Sequence, residues 1–140
     1  MKSGIIPYKP YHRPLLTRAL EDEGLTKAEM TFDRHPAAIV MDEKGFVGFF
    51  SFRMLGRRPY LNHFLVFKNR RCFASLRTLF HAFAEIVIRM GQVEFIAETP
   101  PEKSYFKRFV KYWTGKNEPY TSKNGTDYYL IHVKRKGAIL

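Results

Sequence analysis

One long helical pattern, preceded by closely spaced strand patterns, limits the folds open to this chain more than any other feature. Residues 37–41 and 46–54 read as two strands joined by the tight turn 42–45, which predicts a β-hairpin. Residues 60–67 predict a third strand of the same sheet. Beyond residue 71 an apolar face recurs at helical spacing until Gly91. Its members are Leu76, Leu79, Phe80, Phe83, Ile86, Val87 and Met90.

Further patterns place helices and strands on both sides of this central strand, loop and long helix. Pro7 cannot donate a ladder hydrogen bond, so residues 5–8 suit an edge strand. The other predicted elements are an amphipathic helix at 14–24, a strand at 93–97, a basic helix at 102–113 and a final hairpin of 115–120 with 128–133. Because 140 residues is the size of one ordinary domain, we predict a single α/β (α+β) domain, 1–140, with a mixed, mostly antiparallel sheet flanked by helices.

Charge is the most informative bulk property of the chain. Lys and Arg number 24 against 13 Asp and Glu, a net charge of +11. This surplus favours an anionic partner, either nucleic acid, a phosphorylated small molecule or an acidic protein surface. The single cysteine excludes an internal disulfide, and the histidines are not spaced as a ligand cluster, so we predict no metal site. No apolar run is long enough for a membrane helix, and we expect a reducing, cytoplasmic setting.

Basic residues lie where the third strand meets the long helix. Arg70 and Arg71 precede a helix N-terminus, whose unpaired N–H groups and dipole favour an anion such as phosphate. A solvated basic connection without a ligand is the alternative, and basic loops before helices are common.

The succession of elements from residue 37 to residue 133 resembles the GNAT superfamily of N-acetyltransferases. In that family an Arg/Gln-x-x-Gly-x-Gly/Ala loop follows the strand before the long helix and binds the pyrophosphate of acetyl-coenzyme A. Here Arg71 matches the motif's first residue, whereas Ala74 and Leu76 replace its two glycines. Glycine there permits close approach of the backbone to phosphate. The resemblance implies acetyl-coenzyme A as cosubstrate, bound between the strands ending at Val66 and Ala97. The implied contacts are Phe64, Leu65 and Val66, then Arg70, Arg71, Cys72, Phe73, Ala74, Ser75 and Leu76.

The resemblance also implies where the proton-transfer groups lie. His63, in the strand that would flank the acetyl group, is a candidate general base, and Glu98 is a second one. Val110 occupies the place of the family's usual tyrosine acid, so Tyr112 or Tyr105 would have to substitute. Packing alone, against the sheet for the histidine and between aromatic rings for the tyrosines, is the alternative role.

Two functions are therefore open at this point. The first is an N-acetyltransferase acting on an amine, whose degenerate loop resembles that of divergent members encoded by bacteriophages. The second is a protein of the same fold without catalysis, either a virion component or a nucleic-acid-binding module. In residues 105–113 basic side chains are interleaved with aromatic ones, which suits phosphate contacts and base stacking. The acceptor amine, in a protein or a small molecule, is not readable from the sequence.

Overall fold

A computed structural model describes residues 4–26, 30, 32–99, 121–123 and 126–132. The described elements are β1 (Gly4–Pro7), α1 (Arg13–Asp22), β2 (Ala37–Asp42), β3 (Gly45–Leu55), β4 (Arg58–Val66), α2 (Phe73–Arg89), β5 (Glu94–Thr99), β6 (Thr121–Lys123) and β7 (Thr126–His132). The pairs β1–β2, β2–β3, β5–β7 and β6–β7 are antiparallel, whereas β4 and β5 are parallel. The predicted mixed α/β class and the mostly antiparallel pairing are confirmed.

The chain divides into two compact units that alternate along the sequence. Met1–Arg53 and Asn62–Phe83 form the first, and Met54–Leu61 and Ala84–Leu140 form the second. The strands of the first unit follow the order β1-β2-β3-β4, and those of the second follow β4-β5-β7-β6. Strand β4 contributes its first residues to the second unit and its last residues to the first.

The first unit is built on the predicted hairpin. Strands β2 and β3 pair from Ala37↔Ser51 to Asp42↔Gly45, with a bulge at Val40/Met41. Strand β1 pairs with β2 at the edge, as Pro7 suggested. Strand β4 begins two residues earlier than predicted, because Gly56 adopts φ +63° and the turn needs only residues 56 and 57.

Helix α2 has defined caps at both ends. The backbone N–H groups of Ser75 and Leu76 donate to the Sγ and the carbonyl of Cys72, which starts the helix. At the other end Gly91 takes φ +81°, and the Gln92 N–H donates to the Val87 carbonyl. The prediction that Met90 belongs to the apolar face is wrong, because the helix ends at Arg89 and Met90 is 38% exposed in the turn beyond it.

Aromatic side chains fill the core on both faces of the first unit's strands. On one face Phe49 packs with Phe32 and Phe67, over Leu16 and Leu20 of α1. On the other face the rings are those of Phe50, Phe52, Phe64, Phe80 and Phe83. Strand residues alternate between faces, so neighbours along β4 point to different partners.

The second unit contains the parallel strand pair of the fold, β4 with β5. Tyr60 and Leu61 of β4 pair with Ile96 and Ala97 of β5. Strand β5 then pairs along its whole length with β7, which pairs with the short β6. The predicted helix 102–113 and the predicted strand 115–120 lie outside the described residues.

Candidate functional site

The last residues of β4 carry three of the predicted coenzyme contacts. Leu65 belongs to the core cluster on the α1 face, whereas the Phe64 ring lies 6.5 Å from that of Phe80 on α2. The backbone of Leu65 and Val66 lies so close to Gly48 of β3 that a Cβ there would be 2.2 Å from the Leu65 carbonyl oxygen. Backbone contact, rather than side-chain packing, therefore sets the position of β4 at this point.

The guanidinium of Arg70 is held by the β2–β3 turn. It donates to the carbonyls of Gly45 at 3.3 Å and Phe46 at 3.1 Å, and it pairs with the carboxylate of Asp42. The hydrogen bond from Arg70, followed by that from the Lys44 N–H, lowers the pKa of the Asp42 carboxyl. Arg70 therefore ties the loop after β4 to the hairpin.

We expect Arg70→Gln to lower Tm by roughly 3–8 °C, because two carbonyls and one carboxylate lose their charged donor. Lys68→Gln, an exposed neighbour in the same loop, is the matched control and should stay within about 2 °C of wild type. Thermal unfolding followed by circular dichroism at pH 7 measures both. Equal Tm values for the two variants would contradict this role for Arg70.

Arg71 ties the same loop to the end of α1. Its Nε donates to the Val66 carbonyl at 3.2 Å, and a terminal nitrogen pairs with Glu23 at 2.5 Å. The two arginines predicted as phosphate ligands thus already have protein partners. Their positive charge at the loop remains, but part of it is balanced by Asp42 and Glu23.

The start of α2 is open where the sequence predicts a phosphate cradle. Phe73 is 48% exposed and Ala74 is also exposed, whereas Ser75 and Leu76 are buried. Leu76, which replaces the second glycine of the family motif, therefore turns into the core rather than over the helix N-terminus. The thiol of Cys72 is exposed, and hydrogen bonds from the Ser75 hydroxyl and then the Ser75 N–H lower its pKa.

His63 lies half-buried on the α1 face of β4. Its ring centroid is 6.4 Å from that of Phe32 and 6.2 Å from that of Phe49. Burial, and secondarily the nearby His35, lowers the pKa of His63 below the usual 6.5. The imidazole is therefore neutral at pH 7, which is the form that accepts a proton.

The structure describes the other predicted catalytic residues only in part or not at all. Glu98 lies in β5 with its backbone opposite Tyr128, and its side chain is outside the described part of the chain. Tyr105 and Tyr112 lie outside the described residues altogether. Among the described residues, no three His, Cys, Asp or Glu side chains come together as a possible metal site, and no helix is long and apolar enough to cross a membrane.

Sequence reasoning missed a pocket beside the loop after β4, which we call the basic pocket. It measures about 630 Å³ and is lined by α1, the β2–β3 turn, the end of β4 and residues 68–71. Its charged lining residues are Arg18, Asp22, Lys44, Lys68, Arg70 and Arg71. Arg18 and Lys44 are far from the loop in sequence. The sequence shows their charge, but it does not show that they lie beside the loop in the fold.

Comparison with known proteins identifies the fold. No family model and no curated protein matches the sequence. An acetyltransferase of the GNAT family from Staphylococcus aureus Mu50 superposes with a TM-score of 0.71 at 11% identity, over 94% of this chain and 99% of that one. The chain has the GNAT acetyltransferase fold.

Two further structures that match this chain are of proteins named for specific reactions. Spermidine/spermine N-acetyltransferase from Vibrio cholerae gives a TM-score of 0.65 at 9% identity, over 94% of this chain and 93% of that one. N-acetylglutamate synthase from Neisseria gonorrhoeae, in complex with coenzyme A and N-acetyl-glutamate, gives 0.67 at 11% identity, over 96% of this chain and 36% of that one. At these identities the likeness concerns the fold, and the chemistry has to be argued from the site.

Proposed function

We propose that this protein transfers an acetyl group from acetyl-coenzyme A to an amine. The observation that carries the proposal is the agreement of nearly the whole chain with acetyltransferase structures, one of them holding coenzyme A. The neutral, half-buried His63 on β4 and the open start of α2 add a candidate base and an anion site. These features favour the enzyme over a binding protein that has lost catalysis.

The residues at the start of α2 suit the diphosphate of the coenzyme. Small, exposed Ala74 leaves room for phosphate oxygens near the first N–H groups of a 17-residue helix. Arg70 and Arg71 would add positive potential beside it, and Cys72, Phe73 and Ser75 would line the approach. Leu76 would not donate to the phosphates, because its side chain is buried and its N–H already donates to the Cys72 carbonyl.

In the proposed reaction the coenzyme supplies an activated thioester. The neutral amine attacks its carbonyl carbon, so that a C–N bond forms and the C–S bond breaks. Backbone N–H groups of residues 64–66 stabilise the developing oxyanion. His63 takes the proton from the attacking nitrogen, directly or through water, with Glu98 as the second candidate. The leaving thiolate takes a proton from Tyr112 or Tyr105.

Thermal stability with and without acetyl-coenzyme A tests the proposal directly. A ligand at 100 times its Kd stabilises the native state by about 2.7 kcal/mol, which raises Tm by several degrees. Release of free coenzyme A thiol with a panel of amines then tests transfer. Absence of any Tm shift at millimolar acetyl-coenzyme A would overturn the proposal.

The position of the coenzyme is open to a chemical test at Cys72. We expect saturating acetyl-coenzyme A to slow alkylation of Cys72 by iodoacetamide at least fivefold, because its phosphates would cover the thiol. ATP at the same concentration is the control for a general anion effect, and Cys72→Ser accounts for background reaction. An unchanged rate despite a Tm shift would place the coenzyme away from the start of α2.

Alkylation also reports the environment of the thiol without any ligand. Ser75→Ala removes the hydroxyl that does most to lower the pKa of Cys72, so the pH midpoint of the alkylation rate should rise. Thr78→Ala, one turn further along α2, is the control and should leave the midpoint unchanged. Identical midpoints for Ser75→Ala and wild type would show that this hydroxyl does not stabilise the thiolate.

The fold leaves the charge of the acceptor open. One structural neighbour is a spermidine/spermine acetyltransferase, and another was solved with N-acetyl-glutamate. Spermidine is a polycation, whereas N-acetyl-glutamate, which already carries the acetyl group, is an anion. The choice for this chain has to come from its own side chains.

A further inference from the structure

Three of the cations that line the basic pocket have no carboxylate partner among the described residues. They are Arg18 of α1, Lys44 of the β2–β3 turn and Lys68 of the loop after β4, and all three are exposed. The two loop arginines, in contrast, are each balanced by a carboxylate of their own. Asp22 also lines the pocket, so three positive charges against one negative leave a surplus of two. This surplus matches a dianion.

The core separates this pocket from the candidate base. Leu16, Phe49 and Leu65 pack together on the α1 face of β4. His63 contacts Phe49 but does not line the pocket. Buried side chains therefore lie between a molecule in the pocket and His63. This arrangement suits a part of a ligand that takes no part in the reaction.

The pocket adjoins the proposed site of the coenzyme's diphosphate. Residues 68–71 form one wall of the pocket, and Arg71 lies two residues before Phe73, the first residue of α2. In coenzyme A one ribose ring carries both the diphosphate and a separate 3′-phosphate, which is a dianion near pH 7. A site for the 3′-phosphate must therefore lie beside the diphosphate, as this pocket does.

The pocket also lies on the side of β4 that the thioester arm does not need. Strand β3 pairs with β4 on one side, where the Phe67 N–H donates to the Val47 carbonyl. N–H groups that face β3 are used in this pairing, so an oxyanion would meet those on the other side. The pocket is on the β3 side, since Lys44 and Phe46 of the β2–β3 turn line it. From a diphosphate at the start of α2, the thioester arm and the adenosine would thus leave in opposite directions.

Apolar walls complete the pocket. Leu65 and Phe67 at the end of β4 line it, together with Phe46, which is 39% exposed. Its volume of about 630 Å³ is in the range of small-molecule sites. Adenine is a flat aromatic ring system and can pack on an exposed phenylalanine ring.

We propose that the basic pocket binds the adenosine end of acetyl-coenzyme A, with the 3′-phosphate held by Arg18, Lys44 and Lys68. This inference rests on the proposed use of acetyl-coenzyme A. The 3′-phosphate accepts charge-assisted hydrogen bonds from these side chains. The pocket thereby selects coenzyme A over acyl thioesters that lack this phosphate, because their binding would leave the surplus charge unmatched.

Acetyl-coenzyme A and its 3′-dephospho form are a matched pair of ligands that differ in this phosphate alone. By calorimetric titration we expect wild type to bind acetyl-coenzyme A at least about tenfold more tightly than the dephospho form. The double variant Arg18→Gln/Lys44→Gln should weaken binding of acetyl-coenzyme A at least about tenfold, and of the dephospho form less than about threefold. Both side chains are exposed, lie outside the loop and make no described ion pair, so the variant should keep its fold and its diphosphate site.

Arg34→Gln/Arg57→Gln is the matched control, since it removes the same charge from exposed positions outside the pocket. It should leave both dissociation constants within about twofold of wild type, because charges that do not contact the ligand are screened by salt. Circular dichroism of both double variants checks that each is folded before titration.

Three results would overturn the inference. They are equal affinity of wild type for the two ligands, an equal loss for both ligands in Arg18→Gln/Lys44→Gln, and a preference for acetyl-coenzyme A that survives in this variant. If the proposed function itself fails, neither ligand binds and neither raises Tm. If only the inference fails, both ligands still bind and raise Tm.

Discussion

Replacing Gly48 with alanine is expected to destabilise the protein by about 2–4 kcal/mol, the largest stability effect we predict for a single methyl group. An added Cβ would lie 2.2 Å from the carbonyl oxygen of Leu65 and 3.0 Å from the Cα of Val66. Both contacts are with backbone, which cannot rotate away as a side chain does. Strands β3 and β4 would have to separate at this point, and the Phe67 N–H would lose its bond to the Val47 carbonyl.

Gly4→Ala provides the matched control for this substitution. Gly4 also lies in a strand, but a Cβ there would meet the Met41 side chain at 3.8 Å, an ordinary contact. Alanine at this position should leave stability unchanged or raise it by up to about 1 kcal/mol, since it restricts the unfolded chain. Urea unfolding gives both midpoints. Similar midpoints for Gly48→Ala and Gly4→Ala would show that β4 adapts easily and that this contact does not set its position.

Gly48 also has a consequence for activity. The backbone it touches, at Leu65 and Val66, is the backbone proposed to stabilise the oxyanion. Displacing these N–H groups by a few tenths of an ångström would weaken transition-state stabilisation more than coenzyme binding. Gly48→Ala should therefore lower kcat more than it raises KM for acetyl-coenzyme A, when measured below its unfolding temperature.

Local patterns were sufficient to predict most of the described elements. The face from Leu76 to Val87 and the stop at Gly91 give α2, because burial and a positive φ leave direct marks in sequence. The turn at residues 42–45 gave the hairpin for the same reason. The error at Met90 arose where helical spacing continued one residue past the last helical turn.

Contacts between distant residues could not be predicted in this way. Arg70 and Asp42 are 28 positions apart, and Arg71 and Glu23 are 48 apart. In sequence the two arginines look like unneutralised phosphate ligands, whereas the fold gives each of them a carboxylate. The basic pocket has the same origin, since Arg18 and Lys44 reach it from separate elements. Charge is readable from sequence, but its compensation depends on tertiary structure.

The environment of His63 also depends on the fold. The sequence placed it in a strand beside the proposed acetyl group, with packing as the alternative. The structure gives it two aromatic neighbours, and burial among them lowers its pKa. This lowered pKa is a consequence of burial, and burial cannot be read from the residue type.

The pKa of His63 also gives a pH dependence with a definite sign. In the unfolded chain histidine binds a proton near pH 6.5, whereas in the folded protein it does so at lower pH. As pH falls below 6.5 the unfolded state takes up this proton first, so stability decreases across that window. In His63→Gln this part of the decrease should disappear, which urea unfolding between pH 5 and 8 would detect.

The largest effect on activity is expected for His63→Gln. Loss of the proton acceptor should lower kcat about 10²–10⁴-fold, the range usual for general base catalysis. Glutamine cannot titrate, so the acidic limb of the kcat/KM profile, which wild type should show below pH 6.5, should also be lost. The Tm shift with acetyl-coenzyme A should persist, because the proposed coenzyme contacts are unchanged.

His81→Gln is the control for His63→Gln, since His81 is also a half-buried histidine but lies on α2 rather than on β4. It should retain kcat within about threefold and keep the acidic limb. His35→Gln tests the environment of the base instead: removing this neighbour should raise the pKa of His63 and move the limb to higher pH. If His63→Gln kept both its rate and its acidic limb, the proton would have to leave by another group, and Glu98 would become the principal candidate.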